Sequence, residues 1–162
     1  MGLRDMVRLM RRTGRVAEAA PPAPRRASDA PGDLLGSVQV RHVDAGSCNG
    51  CEVELGMAFG PTYDGERYGA RLVASPRHAD ALLVTGVVTQ NMASAVRRTY
   101  EATPRPRVVL AVGDCALNCG VFADGYGVVG PVSDVIPVDV EVAGCPPHPA
   151  QIIDGLRSVT GR

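Results

Sequence analysis

RVVLAVGDC, residues 107–115, decides the fold: five aliphatic residues run without polar interruption, Gly113 closes them, and a cysteine follows within three residues. An apolar run of this length, bounded by Pro106 and a glycine, reads as a strand buried on both faces of a parallel sheet. A second such run is DALLVTGVV (80–88). Between the two lies Gln90–Ala102, which reads as a helix. Further on, Ile152, Ile153, Leu156 and Val159 share one face of a helix over Pro149–Val159. Upstream, SVQVRHV (37–43) reads as the first strand, with a short helix over Asn49–Phe59 after it and a short strand at Arg71–Ala74. Val135–Val142 is a weaker strand, which Pro137 assigns to an edge or a strand start. Strands alternating with helices predict an α/β domain: a parallel sheet with helices on both faces.

The sequence divides into a globular part, 34–162, and an extension, 1–33. Hydrophobic residues make up 45% of the 162, enough for one core, but aromatics only 4%, so Val, Ala, Leu and Ile must build it. In the extension, residues 3–17 have helical periodicity, with Leu3, Met6, Val7 and Met10 on one face and Arg4, Arg8, Arg11 and Arg15 on the other. AEAAPPAPRRASDAPGD (17–33) reads as an extended linker. Residues 1–26 hold seven Arg against Asp5 and Glu18, whereas the remainder holds ten Arg against fifteen acids. A basic tail on an acidic body suits a partner, an anionic membrane surface, or a solvated arm. No apolar run approaches the roughly 18 residues of a membrane span. Arg11-Arg12 invites an export signal, but TGRVAEAAPPAPRR after it lacks the apolar stretch such a signal needs, so the expected location is cytoplasmic. No nucleotide or nucleic-acid partner is expected; with no Lys anywhere, the chain has no GxxxxGK[ST] loop.

Four cysteines stand in C-x2-C-x63-C-x29-C order: Cys48, Cys51, Cys115 and Cys145. Cys48 and Cys51 follow the first strand, Cys115 follows RVVLAV and Cys145 follows VDVEV. In a parallel sheet all these loops emerge at the carboxyl edge, where open α/β sheets hold ligands. Glycines flank the cysteines at 46, 50, 113 and 144, and Pro146-Pro147 stiffens the last loop. One 4Fe–4S cluster is the reading that uses all four thiols. Zinc also takes four thiolates but usually from two close pairs. A lone C-x-x-C suits a thioredoxin-type redox pair and leaves Cys115 and Cys145 unused. Buried structural cysteines are the third alternative. Cys119, four residues after Cys115, is an alternative ligand or a small neighbour.

CNGCEVE (48–54), SPRHADALLVTG (75–86), GDCALNCGVF (113–122) and AGCPPHP (143–149) resemble, in order, the cluster-bearing small subunit of membrane-bound NiFe hydrogenases and formate hydrogenlyases. The same blocks resemble the 20-kDa-type subunit of NADH:quinone oxidoreductase (complex I). The resemblance spans Val38 to Val159. Separation of Cys48 from Cys51 by Asn49-Gly50 leans to the hydrogenase side; Cys119, where the family commonly has glycine, departs from the pattern. The resemblance implies a flavodoxin-like fold and one 4Fe–4S cluster on Cys48, Cys51, Cys115 and Cys145. It further implies a large-subunit partner that holds the bond-making site, with other iron–sulfur and membrane subunits beyond it. The assembly would then sit peripherally on the cytoplasmic face of the membrane. The function expected is one-electron transfer within a hydrogenase-like oxidoreductase; quinone reduction at the subunit interface, or a zinc-stabilised interaction module, are the alternatives. Glu54, which matches a family glutamate, is a candidate proton relay or interface group, as are Arg77 and His148. Asp114 is expected to set loop geometry through backbone amides, and His42 receives no role.

Overall fold

The computed structural model describes residues 3–13, 34 and 36–162. The expected linker (17–33) and the last residues of the expected N-terminal helix (14–17) lie outside the described residues. Within them, α1 spans Leu3–Thr13, and its Leu3, Met6 and Val7 are exposed.

The body runs β1 (Val38–Asp44), α2 (Gly50–Ala58), β2 (Ala70–Leu72), β3 (Ala81–Thr85), β4 (Val88–Thr89) and α3 (Gln90–Ala102). It continues β5 (Val108–Val112), α4 (Asp114–Asn118), β6 (Val128–Gly130), β7 (Val140–Val142) and α5 (Pro149–Thr160). The main sheet has the order β2-β1-β3-β5-β7, and every neighbouring pair is parallel. Counted within that sheet, the order is 2-1-3-4-5, the flavodoxin-like arrangement, whose switch point lies between β1 and β3.

Alternation explains why the central strands read as unbroken apolar runs. Ala81 and Leu83 of β3, with Val108, Leu110 and Val112 of β5, pack under Leu55 of α2 and Ile152, Leu156 and Val159 of α5. The intervening Leu82, Val84, Val109 and Ala111 pack on the opposite side with Val96 of α3 and Ala116 of α4. Both faces are covered, so each strand position must be apolar; every Val or Leu buried this way contributes about 1.5–3 kcal/mol.

Several elements differ from the sequence reading, among them β2, which spans Ala70–Leu72 rather than 71–74. The expected strand 80–88 stops at Thr85: Gly86 turns at φ 77, and Val88–Thr89 leaves to pair antiparallel with β6 in a separate two-stranded sheet. The expected strand 135–142 shrinks to β7, because the Val135 and Ile136 amides donate back to the Val132 carbonyl, both at 3.0 Å, and the Asp139 carboxylate accepts from the Val109 amide at 2.7 Å. It does lie at the sheet edge, bonded to β5 alone. Helix α4 is too short to leave a periodic signature.

Candidate metal centre

Three loops at the carboxyl edge carry the four cysteines. After β1, the Asp44 carboxylate accepts from the amides of Gly46 and Ser47, both at 2.8 Å, turning the chain toward Cys48. Asn49, in the left-handed region at φ 71, opens α2 and puts Cys51 in its first turn. After β5, Gly113 at φ +94 turns into α4, with Cys115 in that helix's first turn. After β7, Gly144 precedes Cys145. Asp114 ties the second loop to the third: its amide donates to the Gly144 carbonyl at 2.8 Å, and its carboxylate accepts from the Gly144 amide at 2.7 Å. The expected loop-setting role of Asp114 is therefore visible in its bonds.

Close packing locks the loops together. A Cβ at residue 113 would meet Cys51 Sγ at 2.5 Å, and one at residue 50 would meet Cys48 Sγ at 3.6 Å and Pro146 Cβ at 3.7 Å. Cys51 and Cys115 are buried, whereas Cys48 and Cys145 are exposed, giving a floor and a rim. Burial first, then the negative charge of Glu52 and the other three cysteines, pushes the Cys51 thiol up to about 12. Cys115 is raised as well, by burial and then by Cys145 and Cys48. Cys51 thus feels the three other cysteines, whereas Cys115 feels Cys145 and Cys48 and, after them, Asp114 and Cys119.

Cys119 behaves differently. It is raised by burial and by Asp134, with no contribution from Cys48, Cys51 or Cys145. Its side chain packs with Val87, Cys115 and Val128. Its backbone is left-handed, φ 66, a conformation that favours glycine.

Among the described residues, no group of three His, Cys, Asp or Glu is drawn together around a point that would hold a single metal ion. Four thiols on three neighbouring loops are the kind of donor set a 4Fe–4S cluster takes, one thiolate to each iron. A glycine at 113, where any side chain would strike Cys51, fits the same crowded site.

The other candidates divide. Glu54 is half-buried on α2, and its carboxylate makes no hydrogen bond or ion pair among the described residues. His148 caps α5: its Nδ1 accepts from the Ala150 amide at 3.2 Å and its amide donates to the Gln151 side chain at 2.8 Å. Its Nε2 lies 3.2 Å from Tyr63 Oη. Arg77 is not brought to the cysteines. It lies in the 3-10 turn Pro76–His78 ahead of β3, hence at the amino edge, with all of β3 between it and them. GYGVVG (125–130) has the G-x-G-x-x-G spacing of nucleotide loops, but it runs into β6 rather than opening a helix, so the strand–turn–helix context is missing.

A layer of side chains beneath the Cys48–Cys51 loop was illegible from the sequence. Glu52 Oε2 accepts from Ser47 Oγ at 2.6 Å, and Ser47 Oγ accepts from the Asn49 amide at 3.0 Å. Glu52 Oε1 accepts a short hydrogen bond from Thr85 Oγ1, and His42 Nε2 lies 2.9 Å from the same hydroxyl. The signal, in hindsight, is alternation: His42 and Thr85 continue the inward rows Val38–Val40 and Ala81–Leu83, so a row of apolar residues ends in polar ones.

With the fold and the cysteine loops described, comparison with known proteins places the chain in a family. Residues 48–159 match the family described as NADH ubiquinone oxidoreductase, 20 Kd subunit. The chain belongs to this family. Within the 20 Kd subunit family, it is 50% identical over 117 residues to the Probable membrane-bound hydrogenase subunit mbhJ of Pyrococcus furiosus, covering 72% of this chain and 70% of that one. It is 43% identical over 125 residues to Formate hydrogenlyase subunit 7 of Escherichia coli, covering 77% of this chain but about half (49%) of the relative. In structure it resembles a chain of the membrane-bound sulfane sulfur reductase, an archaeal respiratory membrane complex, with TM-score 0.69 and 35% identity over 78% of this chain and 70% of the other. These relatives are subunits of oxidoreductase complexes, as the resemblance of the four sequence blocks implies.

Proposed function

We propose that this chain holds one 4Fe–4S cluster on Cys48, Cys51, Cys115 and Cys145 and passes single electrons to or from a large-subunit active site in a membrane-associated, NiFe-hydrogenase-like oxidoreductase. The observation that carries the reading is the convergence of three strand-end loops on four thiols; the fifth, Cys119, packs on Val87, Val128 and Cys115, and of the two buried ligands only Cys115 feels its charge. The cluster, once bound, supplies storage and release of one electron. The chain's own residues do the rest. Cys51 and Cys115 form a buried floor, Gly113 and Gly50 leave room at the sulfurs, and Asp114 holds two ligand loops in register.

The partner surface follows from what surrounds the rim. Val53 and Met57 on α2 are exposed, as are Val121, Phe122 and Tyr126 in the segment after Cys119. Exposed apolar side chains gathered beside a redox site suit a subunit interface. Glu54, unpaired on α2, is the carboxylate available to that interface for proton relay or an ion pair, and His148 stands beside the fourth ligand as a second such group. Peripheral attachment on the cytoplasmic face is assigned to the partners and to the basic helix α1; among the described residues no helix is long and apolar enough to cross a membrane.

Iron and acid-labile sulfide content of the complex purified anaerobically with its large subunit, with EPR of the dithionite-reduced sample, tests the reading. About four irons and four sulfides attributable to this chain, lost in Cys51→Ser, are expected. Zinc, or no metal in an intact complex, overturns it. Nickel in the co-purified large subunit marks the hydrogenase-like context; its absence, with quinone-dependent turnover, marks the complex I-like alternative.

A further inference from the structure

Beneath the Cys48–Cys51 loop, Glu52 joins three elements. Its carboxylate accepts from Thr85 at the end of β3 and from Ser47 in the loop after β1, while Glu52 itself belongs to the first turn of α2. Ser47 Oγ, having donated its proton to Glu52, accepts from the amide of Asn49, the left-handed residue between the two cysteines. On the other side the Thr85 proton is committed to Glu52. The hydroxyl can therefore only accept from His42, which fixes His42 as the Nε2–H donor. Burial lowers the His42 pKa, which suits that neutral tautomer. The result is a directed chain, His42 to Thr85 to Glu52, closed by Ser47 and Asn49. It is largely enclosed: the side chains of His42 and Glu52 are 25% and 17% exposed. Each donor in such a chain strengthens the next bond, and one lost member leaves a poorly solvated polar group behind.

We infer that Glu52 is a positioning residue for the cluster site: through Thr85 and Ser47 it fixes the Cys48–Cys51 loop against β3, and its carboxylate places a fixed negative charge next to Cys51. This rests on the cluster reading given above. The geometry distinguishes Glu52 from Glu54, two residues along the same helix, which has no such partners. Glu52 directly follows Cys51 in the first turn of α2, so its carboxylate stands next to that ligand. A fixed anion beside a cluster disfavours the extra electron, so the native site holds a lower potential than it would without Glu52.

The experiment uses the anaerobically purified complex, with Glu52→Gln, Glu52→Ala and Thr85→Val compared against wild type. Iron per chain, the rate of iron loss to a chelator, and the midpoint potential from EPR-monitored titration are read together. Glu52→Gln keeps an acceptor for Thr85 and a group that reaches Ser47, so it should keep its iron and titrate at a more positive potential. Glu52→Ala removes both bonds and should lose iron several-fold faster. Thr85→Val, nearly isosteric, should lose iron faster than wild type with a smaller change in potential than Glu52→Gln. If Glu52→Ala does not assemble, Thr85→Val and Glu52→Gln decide alone. Wild-type potential in Glu52→Gln together with wild-type iron retention in Thr85→Val overturns the inference. Absence of iron in the wild-type complex would instead overturn the cluster reading itself.

Discussion

Gly113 and Cys51 touch across two loops: a Cβ on residue 113 would stand 2.5 Å from Cys51 Sγ, closer than any real contact of that kind. Gly113 also sits at φ +94, where a side chain costs roughly 1–2 kcal/mol. Gly113→Ala should therefore be penalised twice, once in the backbone and once at the sulfur. The expected outcome is a severalfold drop in iron per chain with the far-ultraviolet circular dichroism unchanged. A variant with full iron content would mean that Cys51 is not held where a ligand must be.

Cys119 provides the opposite control. Its left-handed backbone favours glycine by about 1 kcal/mol, while removing its buried side chain forfeits about 1 kcal/mol of apolar burial. The two effects nearly cancel. Cys119→Gly should unfold within about 1 kcal/mol of wild type and retain its iron. Cys115→Ser, four residues away, should lose it. Equal loss in both variants would make Cys119 the ligand.

How much of this was legible depends on what each residue's environment repeats. Strands β3 and β5 announce themselves because both faces are buried, so Leu82–Val84 and Val108–Val112 carry no polar residue. The cysteines are legible for a topological reason: in a parallel sheet, residues just after different strands meet at one edge. Strand β4 and its partner β6 were not legible, since two or three residues set no period. Nothing in the spacing of Arg77 shows that it stands at the amino edge, with the whole of β3 between it and the cysteine loops. Glu52 was overlooked in favour of Glu54 because the choice between them depends on Thr85 and Ser47, and no spacing along α2 reveals those partners.

Gly155 tests the packing of α5 on the sheet. Alanine there would gain about 1 kcal/mol of helix propensity. Its Cβ, however, would stand 2.7 Å from Val142 Cγ2 of β7, and overpacking of this kind costs about 1–3 kcal/mol. Val142 is buried beside Cys145's loop and has little room to turn. The steric effect should win, and Gly155→Ala should lose about 1 kcal/mol in urea unfolding. A gain in stability would show that the edge strand yields freely, and with it the loop that carries Cys145.

His42 predicts an acid-side loss of stability. Its pKa lies below the usual 6.5, chiefly through burial; Arg41 lowers it further, while Glu52 and Asp44 pull it back up. A lowered histidine pKa means that the unfolded chain binds the proton more readily than the folded one. The stability it contributes is therefore fully present above about pH 6.5 and is lost as pH falls through the lower folded value. Protonation also obliges His42 to carry a charge in a half-buried position beside Thr85, although Glu52 3.6 Å away softens the cost. Urea unfolding of the metal-free chain from pH 8 to about pH 5 should show a steeper decline for wild type than for His42→Gln. Carboxylates elsewhere titrate alike in both proteins, so they drop out of the difference. Parallel curves would mean that Glu52 compensates the buried imidazolium in full, making the pair an ion pair at acid pH rather than a neutral hydrogen-bond chain.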